Sequence, residues 1–413
     1  PTLKEAKALI KKCALWLRDS FIRNRSLNAT RIVAGSFAAI ILIGALLLTL
    51  TIASRDGQSA GFFTGLFTAT SSTCVTGLIL VDTWTQWTLF GQAVILTMIQ
   101  LGGLGFMTVI TLVSFALHRR IGLSERLIMV STLNLNDMDG VVRVVRHALI
   151  GTFAMETAGA VLMSVCLIPE FGFLKGTWHA VFHAVSSFCN AVYSKMVLLI
   201  TAVLIVGGAL FFLMEEFDNP ATLGDMPLWQ KGLNALFQSV TLRTAGFDSI
   251  GQGGLSDTSK AMSCVLMLIG GSSGSTAGGL KTATVGVLLL ALRSGLMGRE
   301  QVTFRGRAIH YRRVLNAMTR ALVVLFVFVF SSMVVSTVED LPYLDSAFEV
   351  ASAMGTVGLT TGITPTLTPF SQGLLILLMY MGRVGILSFS IAFITGNRHP
   401  AKIKYPEMNV MIG

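Results

Sequence analysis

Seven stretches of this chain are apolar enough, and long enough, to cross a lipid bilayer. A helix needs about 20 apolar residues to span the hydrocarbon core. Residues 32–53, 88–116, 144–168, 196–214, 262–292, 314–338 and 371–395 meet that requirement. Composition agrees, with 53% of residues hydrophobic, 13% charged and a mean hydropathy of +0.72. Soluble domains carry about 25% charged residues. In lipid every backbone polar group must find a partner inside the protein, so an all-α polytopic membrane protein is expected. Three stretches exceed one crossing, and each holds a glycine cluster, at 102–105, 270–279 and 382–385.

The charges sort the connecting segments into two sets. Basic residues fill 1–31, 117–146, 293–320 and 398–404. The other segments lean acidic, with Asp56, Asp82, Glu170, Glu215, Glu216, Asp218, Glu339, Asp340 and Asp345. Basic loops stay in the cytoplasm. Both termini are therefore expected inside and the acidic loops outside. The net charge of +10 reads as this bias rather than as a nucleic-acid footprint, so the expected partner surface is the lipid bilayer. The five cysteines (Cys13, Cys74, Cys166, Cys189 and Cys264) include no C-x-x-C pair, and no disulfide framework or zinc site is expected. The chain begins at Pro1, and a preceding segment is expected.

Each outer segment carries the same element. It reads "FTATSSTCVTGL" at 67–78, "FHAVSSFCNAV" at 182–192, "FQSVTLRTAGF" at 237–247 and "FEVASAMGTVGL" at 348–359. A phenylalanine opens about two turns of small-residue helix, a Ser/Thr-bearing stretch follows, and then a glycine. Phe to Gly spans ten residues in the first and fourth copies and nine in the third, while Val192 stands at the tenth position of the second. The unit reads as helix, short re-entrant helix, extended glycine turn, helix. Non-helical backbone at membrane depth is tolerated where it lines a water-filled cavity. Four such turns around one axis would present converging carbonyls that replace the hydration shell of a cation. Each short helix would aim its negative end at the same cavity. The competing reading is a set of ordinary polar turns with glycine caps.

Four units predict eight spans, yet only seven are present. One helix, 196–214, lies between the second and third units where the other gaps hold two. A single crossing there would also put the acidic 215–230 segment inside. A stretch of roughly 40–50 residues is expected to be absent between Ala191 and Lys195, from the size of one span plus a loop.

Several of these pieces resemble the Trk/Ktr/HKT superfamily of K⁺ transporters, nearest to its bacterial KtrB branch. They are "TCVTGL" (73–78), "QLGGLGFMT" (100–108), "FQSVTLRTAGF" (237–247), "GGSSGSTAGGLKT" (270–282), "GRVGILSF" (382–389) and "KYPEMNVMIG" (404–413). The resemblance implies four M1-P-M2 repeats in a pseudo-fourfold arrangement around one K⁺-selective pore. Here one M2 helix is absent from the numbering. The segments would be a cytoplasmic start (1–31), repeat 1 (32–116), a truncated repeat 2 (144–191), repeat 3 (195–292), repeat 4 (314–396) and a cytoplasmic tail (397–413). The filter positions implied are Val75, Thr76, Gly77, Asn190, Ala191, Thr244, Ala245, Gly246, Thr356, Val357 and Gly358, holding K⁺. The resemblance also implies a homodimer in the bacterial inner membrane. A cytosolic RCK-type, KtrA-like ring would carry the nucleotide, and no cofactor would sit in this chain. Na⁺ dependence is left open.

The resemblance equates Gly270, Gly271, Ser272, Ser273, Gly274, Ser275, Thr276, Ala277, Gly278 and Gly279 with an intramembrane loop that plugs the pore. The residues alone agree that this stretch cannot continue a lipid-exposed helix. It is no phosphate loop, because Leu280 separates the last glycine from Lys281. A movable gate is the expectation, against a static kink. Arg383 is an intramembrane charge, costly and therefore functional by default; the resemblance implies that it forms a positive barrier beneath the filter, against a purely structural role. "GGLGF" at 102–106 reads as close helix packing. Two other functions compete with this reading. A secondary carrier usually has fewer and larger repeats. An intramembrane enzyme needs a catalytic pair at membrane depth, whereas Glu156 is a lone carboxylate in its span.

Overall fold

The computed structural model describes residues 29–104, 141–187, 195–271, 277–299, 301–304 and 307–385. Asn190, Ala191 and the loop centre Ser272–Thr276 lie outside the described residues. The helices are α1 (Ala29–Thr49), α2 (Phe62–Cys74), α3 (Thr83–Gln86), α4 (Leu89–Leu104), α5 (Val141–Phe171), α6 (Phe173–Ser187), α7 (Lys195–Glu215), α8 (Leu228–Thr241), α9 (Asp257–Leu268), α10 (Thr282–Leu296), α11 (Tyr311–Glu339), α12 (Tyr343–Gly355) and α13 (Pro369–Val384). The expected all-α architecture is right in its bulk. It misses one short antiparallel hairpin, β1 (Thr303–Phe304) and β2 (Arg307–Ala308), inside the basic 293–320 segment.

Two expected spans are not single helices. The 262–292 stretch breaks after Leu268 and resumes at Thr282. In the 371–395 stretch the helix stops at Val384, because Gly385 turns to φ +90°. Local chemistry fixes several ends. Ser256 caps α9 by accepting from the Ser259 N–H, and Asp82 caps α3 by accepting from Trp84 and Thr85. Pro369 begins α13, where its missing N–H has no helical partner to lose.

The polarity of the fold is inverted relative to a soluble protein. α11 is 29 residues long with mean hydropathy 2.6, and only 22% of its apolar window is buried. Leu322, Leu325, Phe326, Phe330 and Met333 face outward from it. At the centre lie small and polar residues: every residue of α12 from Ser346 to Gly355 is buried, as are Thr68–Cys74 of α2. Large exposed apolar surfaces call for an apolar surrounding, here a bilayer.

The helices pack in a recurring order. Each long helix lies on the short helix that follows it: α1 on α2, α5 on α6, α7 on α8 and α11 on α12. The helix after a short one then reaches the next short one in sequence. α4 packs on α6, α9 on α12, and α13 returns to α2. The Tyr380 hydroxyl donates to Ala34 O at 2.7 Å, tying the last described helix to the first. α8 differs from the other short helices. Trp229, Leu233, Phe237 and Val240 leave an apolar stripe of it exposed, whereas the equivalent phenylalanines of α2 and α12, Phe67 and Phe348, are fully buried.

Candidate functional site

Three short helices are each followed by a left-handed glycine turn. α2 stops at Cys74 because Val75 takes a left-handed conformation at φ 55°, and α12 stops at Gly355 because Thr356 does so at φ 53°. Two residues later Gly77 and Gly358 stand at φ 100° and 98°. After α8 the pair is Thr244 at φ 75° and Gly246 at φ 73°. An extended strand points successive residues to opposite sides. Left-handed residues at alternate positions break that alternation, which lets neighbouring carbonyls face one axis. Bulky residues rarely adopt positive φ, and such strain clusters at functional sites.

A hydroxyl four residues after each phenylalanine clamps each turn. Ser71 Oγ accepts from the Gly77 N–H at 3.1 Å, and Ser352 Oγ accepts from the Gly358 N–H at 3.1 Å. The Ser71 and Ser352 carbonyls also receive the N–H groups of Thr76 and Val357 at 2.8 and 2.9 Å. After α8, Thr241 Oγ1 accepts from the Phe247 N–H at 2.9 Å and donates to Phe247 O at 2.6 Å. The third turn is one residue shorter from Phe to Gly, so its clamp closes one residue beyond the glycine. In the second copy the matching residue is Ser186, the end of whose segment lies outside the described residues. These hydroxyls were not singled out from the sequence, although Ser71, Ser186, Thr241 and Ser352 recur at one spacing.

The three glycines meet. A Cβ on Gly77 would stand 3.3 Å from Gly358 Cα. One on Gly358 would stand 3.0 Å from Gly77 Cα and would strike Thr76 O, and one on Gly246 would strike Val357 O. Val75, Thr76, Gly77, Thr244, Ala245, Gly246, Thr356, Val357 and Gly358 therefore come together on three strands. Among the described residues no His/Cys/Asp/Glu group has the arrangement of a metal site. The oxygen atoms available at this junction are backbone carbonyls and threonine hydroxyls, a chemistry suited to a hard cation.

The broken helix α9–α10 inserts its loop against this junction. Ile269 and Leu280 form a bridge that pinches the loop at its stem, with the Leu280 N–H donating to Leu268 O at 2.8 Å. Thr282 closes the stem further, its N–H and Oγ1 donating to Gly271 O and Gly270 O, each at 3.1 Å. On the far side the Gly278 N–H donates to Gly355 O at 3.0 Å and to Thr356 Oγ1 at 2.8 Å. The Gly279 N–H donates to Met354 O at 3.1 Å. The loop is thus bonded to the carbonyl end of α12. Ala277 is also buried here, while Ser272, Ser273, Gly274, Ser275 and Thr276 lie outside the described residues.

Two cationic side chains bond to the described ends of the loop, and a third, Arg383, is held elsewhere on α13. Arg383 donates to Gly102 O and lies 5.5 Å from the centre of the Phe37 ring. Gly102 is packed on the backbone of Thr73, where a Cβ would collide, so this glycine of "GGLGF" does serve close packing. Lys281 donates to Ala277 O across the loop base. Arg243, one residue before the third turn, donates to Thr282 Oγ1 at 2.9 Å. The sequence reading picked out Arg383 alone. Arg243 and Lys281 each abut a motif and could have been noticed for that reason. Glu156, the carboxylate within α5, accepts from Gln100 at 3.1 and 3.2 Å.

Comparison with known proteins fits this geometry. The TrkH model, described as a cation transport protein, matches residues 6–196 and 193–401. The potassium/sodium uptake protein NtpJ of Enterococcus hirae is 39% identical over 447 aligned positions, covering 95% of this chain and 98% of the relative. Ktr system potassium uptake protein B of Bacillus subtilis is 34% identical over 445 positions, covering 96% and 99%. The crystal structure of the potassium transporter TrkH from Vibrio parahaemolyticus superposes with a TM-score of 0.68 at 15% identity, over 90% of this chain and 86% of that one, a likeness of fold. With nearly all of its length matched, the chain belongs to the TrkH family of cation transport proteins, which are membrane-integral transporters and not enzymes.

Proposed function

We propose that this chain is the K⁺-conducting membrane subunit of a bacterial K⁺ uptake system. The observation that carries the proposal is the meeting of three left-handed glycine turns, Val75–Gly77, Thr244–Gly246 and Thr356–Gly358, each following a short helix. Their carbonyls form three quarters of a filter that replaces the hydration shell of K⁺. The segment containing Asn190 and Ala191 supplies the fourth. The names of the relatives, a potassium/sodium uptake protein and a potassium uptake protein B, support K⁺ as the cargo and leave Na⁺ as a coupled or competing ion.

The architecture proposed is four M1-P-M2 repeats around one pore, with one M2 helix absent after Ala191. The cyclic packing of α4 on α6, α9 on α12 and α13 on α2 supports the ring. Three observations support the missing helix. The family match divides at residues 193–196. The apolar stripe of α8 is exposed on the one short helix whose preceding M2 would be missing. The E. hirae alignment needs 447 positions, whereas 95% of 413 residues supplies about 392, leaving roughly 55 opposite gaps.

The loop 270–279 acts as the gate beneath the filter, with Arg383 as a positive barrier. A cytosolic RCK-type, KtrA-like ring carrying the nucleotide docks on the basic inner segments, and the word "system" in the relatives' names supports such a partner. The subunit works as a homodimer in the cell membrane with both termini cytoplasmic. The test is ion flux into liposomes holding the purified protein, comparing K⁺, Rb⁺ and Na⁺. K⁺ and Rb⁺ uptake well above Na⁺ is the expected result, and equal uptake of all three removes the filter assignment.

A further inference from the structure

Glu349 is a carboxylate with no exposed surface, in the middle of α12. Burying such a group costs a great deal unless its oxygens are fully hydrogen-bonded. All of the recorded donors come from one segment, the chain just beyond the fourth glycine turn. Glu349 Oε1 accepts from Thr360 Oγ1 at 2.6 Å, from the Thr361 N–H at 2.9 Å and from Thr361 Oγ1 at 3.3 Å. Oε2 accepts from Thr364 Oγ1, and Thr360 and Thr364 are themselves linked at 3.0 Å.

The strand Thr356–Leu359 is therefore held at both ends by one helix. Ser352 clamps the Gly358 N–H, and Glu349, one turn earlier, gathers residues 360–364. The position after the phenylalanine does the same work more weakly in the third copy. There Gln238 pairs with Gln252 at 2.6 and 3.1 Å, and both are buried. This position is Thr68 in the first copy and His183 in the second, so the fourth copy is the one that carries a carboxyl there.

We infer that Glu349 is a positioning residue for ion discrimination, fixing the fourth strand so that its carbonyls match K⁺ better than Na⁺. This rests on the filter reading of the Thr356–Gly358 turn. A side-chain carboxyl or carboxamide oxygen can accept more than one hydrogen bond and so gathers several donors of one loop, and a small ion is rejected when the carbonyls cannot close around it. A slackened strand closes, and Na⁺ gains.

The experiment measures the K⁺/Na⁺ flux ratio of the full chain in liposomes, alongside Gly358→Ser as a control on the filter. Glu349→Ala is expected to lower the ratio about tenfold through the loss of several hydrogen bonds. Glu349→Gln retains the shape and an acceptor for the Thr361 N–H, and its ratio is expected within about threefold of wild type. If Glu349→Ala does not insert, Thr364→Val and Thr364→Ser take its place. Valine should lower the ratio and serine restore it, which a purely structural methyl contact would not do. A wild-type ratio in Glu349→Ala or, where that variant does not insert, in Thr364→Val, overturns the inference. So does a Gln variant as damaged as the Ala variant, because charge rather than position would then set the ratio. If Gly358→Ser leaves the ratio unchanged, the filter reading itself has failed.

Discussion

Removing the Ser352 hydroxyl should loosen the fourth strand without touching the ion path. Ser352 is fully buried, and its Oγ is the acceptor for the Gly358 N–H at 3.1 Å. In Ser352→Ala the shape is kept and one acceptor is lost. An orphaned buried N–H costs about 1–3 kcal/mol. Gly358 is half-buried, so water can partly replace the serine, and the lower end applies, about 1 kcal/mol. A strand held in its ion-matching shape by that bond would lose up to about fivefold in occupancy of that shape. The same reasoning holds for Ser71, which clamps Gly77 through an identical contact, and Gly77 lies more exposed. Ser71→Ala should therefore have the smaller effect. The assay is competitive uptake of K⁺ and Na⁺ into liposomes, with folding checked by gel filtration in detergent. A K⁺/Na⁺ ratio within twofold of wild type in both variants would show that the clamps do not hold the filter.

Gly246→Ser and Gly358→Ser should lower K⁺ over Na⁺ discrimination more than Gly77→Ser, since the first two would drive a Cβ into Val357 O or Thr76 O while Gly77 meets only Gly358 Cα at 3.3 Å; flux ratios in the opposite order would contradict the packing. Deleting 272–276 should raise K⁺ flux in vesicles without a cytosolic partner, and Arg383→Ala should raise it less. Flux at or below wild type in both places the gate elsewhere. In the segment after α7, burial pushes the Glu216 carboxyl up, but donors from Thr222, Asn219 and the Ser256 N–H together hold it below the ordinary value. A lowered folded value means stabilisation that is present above the unfolded pKa of about 4.3 and is lost as pH falls through the folded one. The gap in melting temperature between wild type and Glu216→Gln should thus shrink between pH 6 and pH 3; a constant gap would refute the assignment.

Much of the site was legible because its physics is local. A chain that stops a small-residue helix at membrane depth and then places glycine declares a turn that needs positive φ, and Gly77, Gly246 and Gly358 all show it. The glycine run 270–279 likewise announced a broken helix. What stayed hidden depended on contacts across the fold. Val75, Thr244 and Thr356 take positive φ although their side chains disfavour it, since the hydroxyl clamps and the packing around them outweigh local preference. Glu349 looked like one polar residue on a short helix, and its partners lie 11 to 15 residues away in a loop without regular pattern. Arg243 was read as part of a motif, yet its donor reaches Thr282 at the far end of the gate loop. The hairpin at 303–308 gave no signal beyond its basic charge.

On the proposed reading, in which 270–279 is the gate, Thr356–Gly358 part of the filter and this structure the closed state, loop and filter share a contact that ties opening to the electrostatics of the pore. Closed, the loop donates Gly278 N–H to Gly355 O and Thr356 Oγ1, and Gly279 N–H to Met354 O. Those carbonyls are the last of α12, the end of a helix that carries partial negative charge. With the loop in place its N–H groups neutralise them. Withdrawal frees two carbonyls and a hydroxyl to face the cavity, where they draw in a partly hydrated cation. Three such bonds are worth about 0.5–1.5 kcal/mol each net of water. The whole contact thus holds the loop by about 1.5–4.5 kcal/mol, a difference that a partner binding the open form more tightly can supply. A plug held by apolar packing would give no such gain on opening. Loss of the Thr356 hydroxyl in Thr356→Val therefore weakens closure and cation attraction together, raising flux without the partner while lowering the apparent affinity for K⁺.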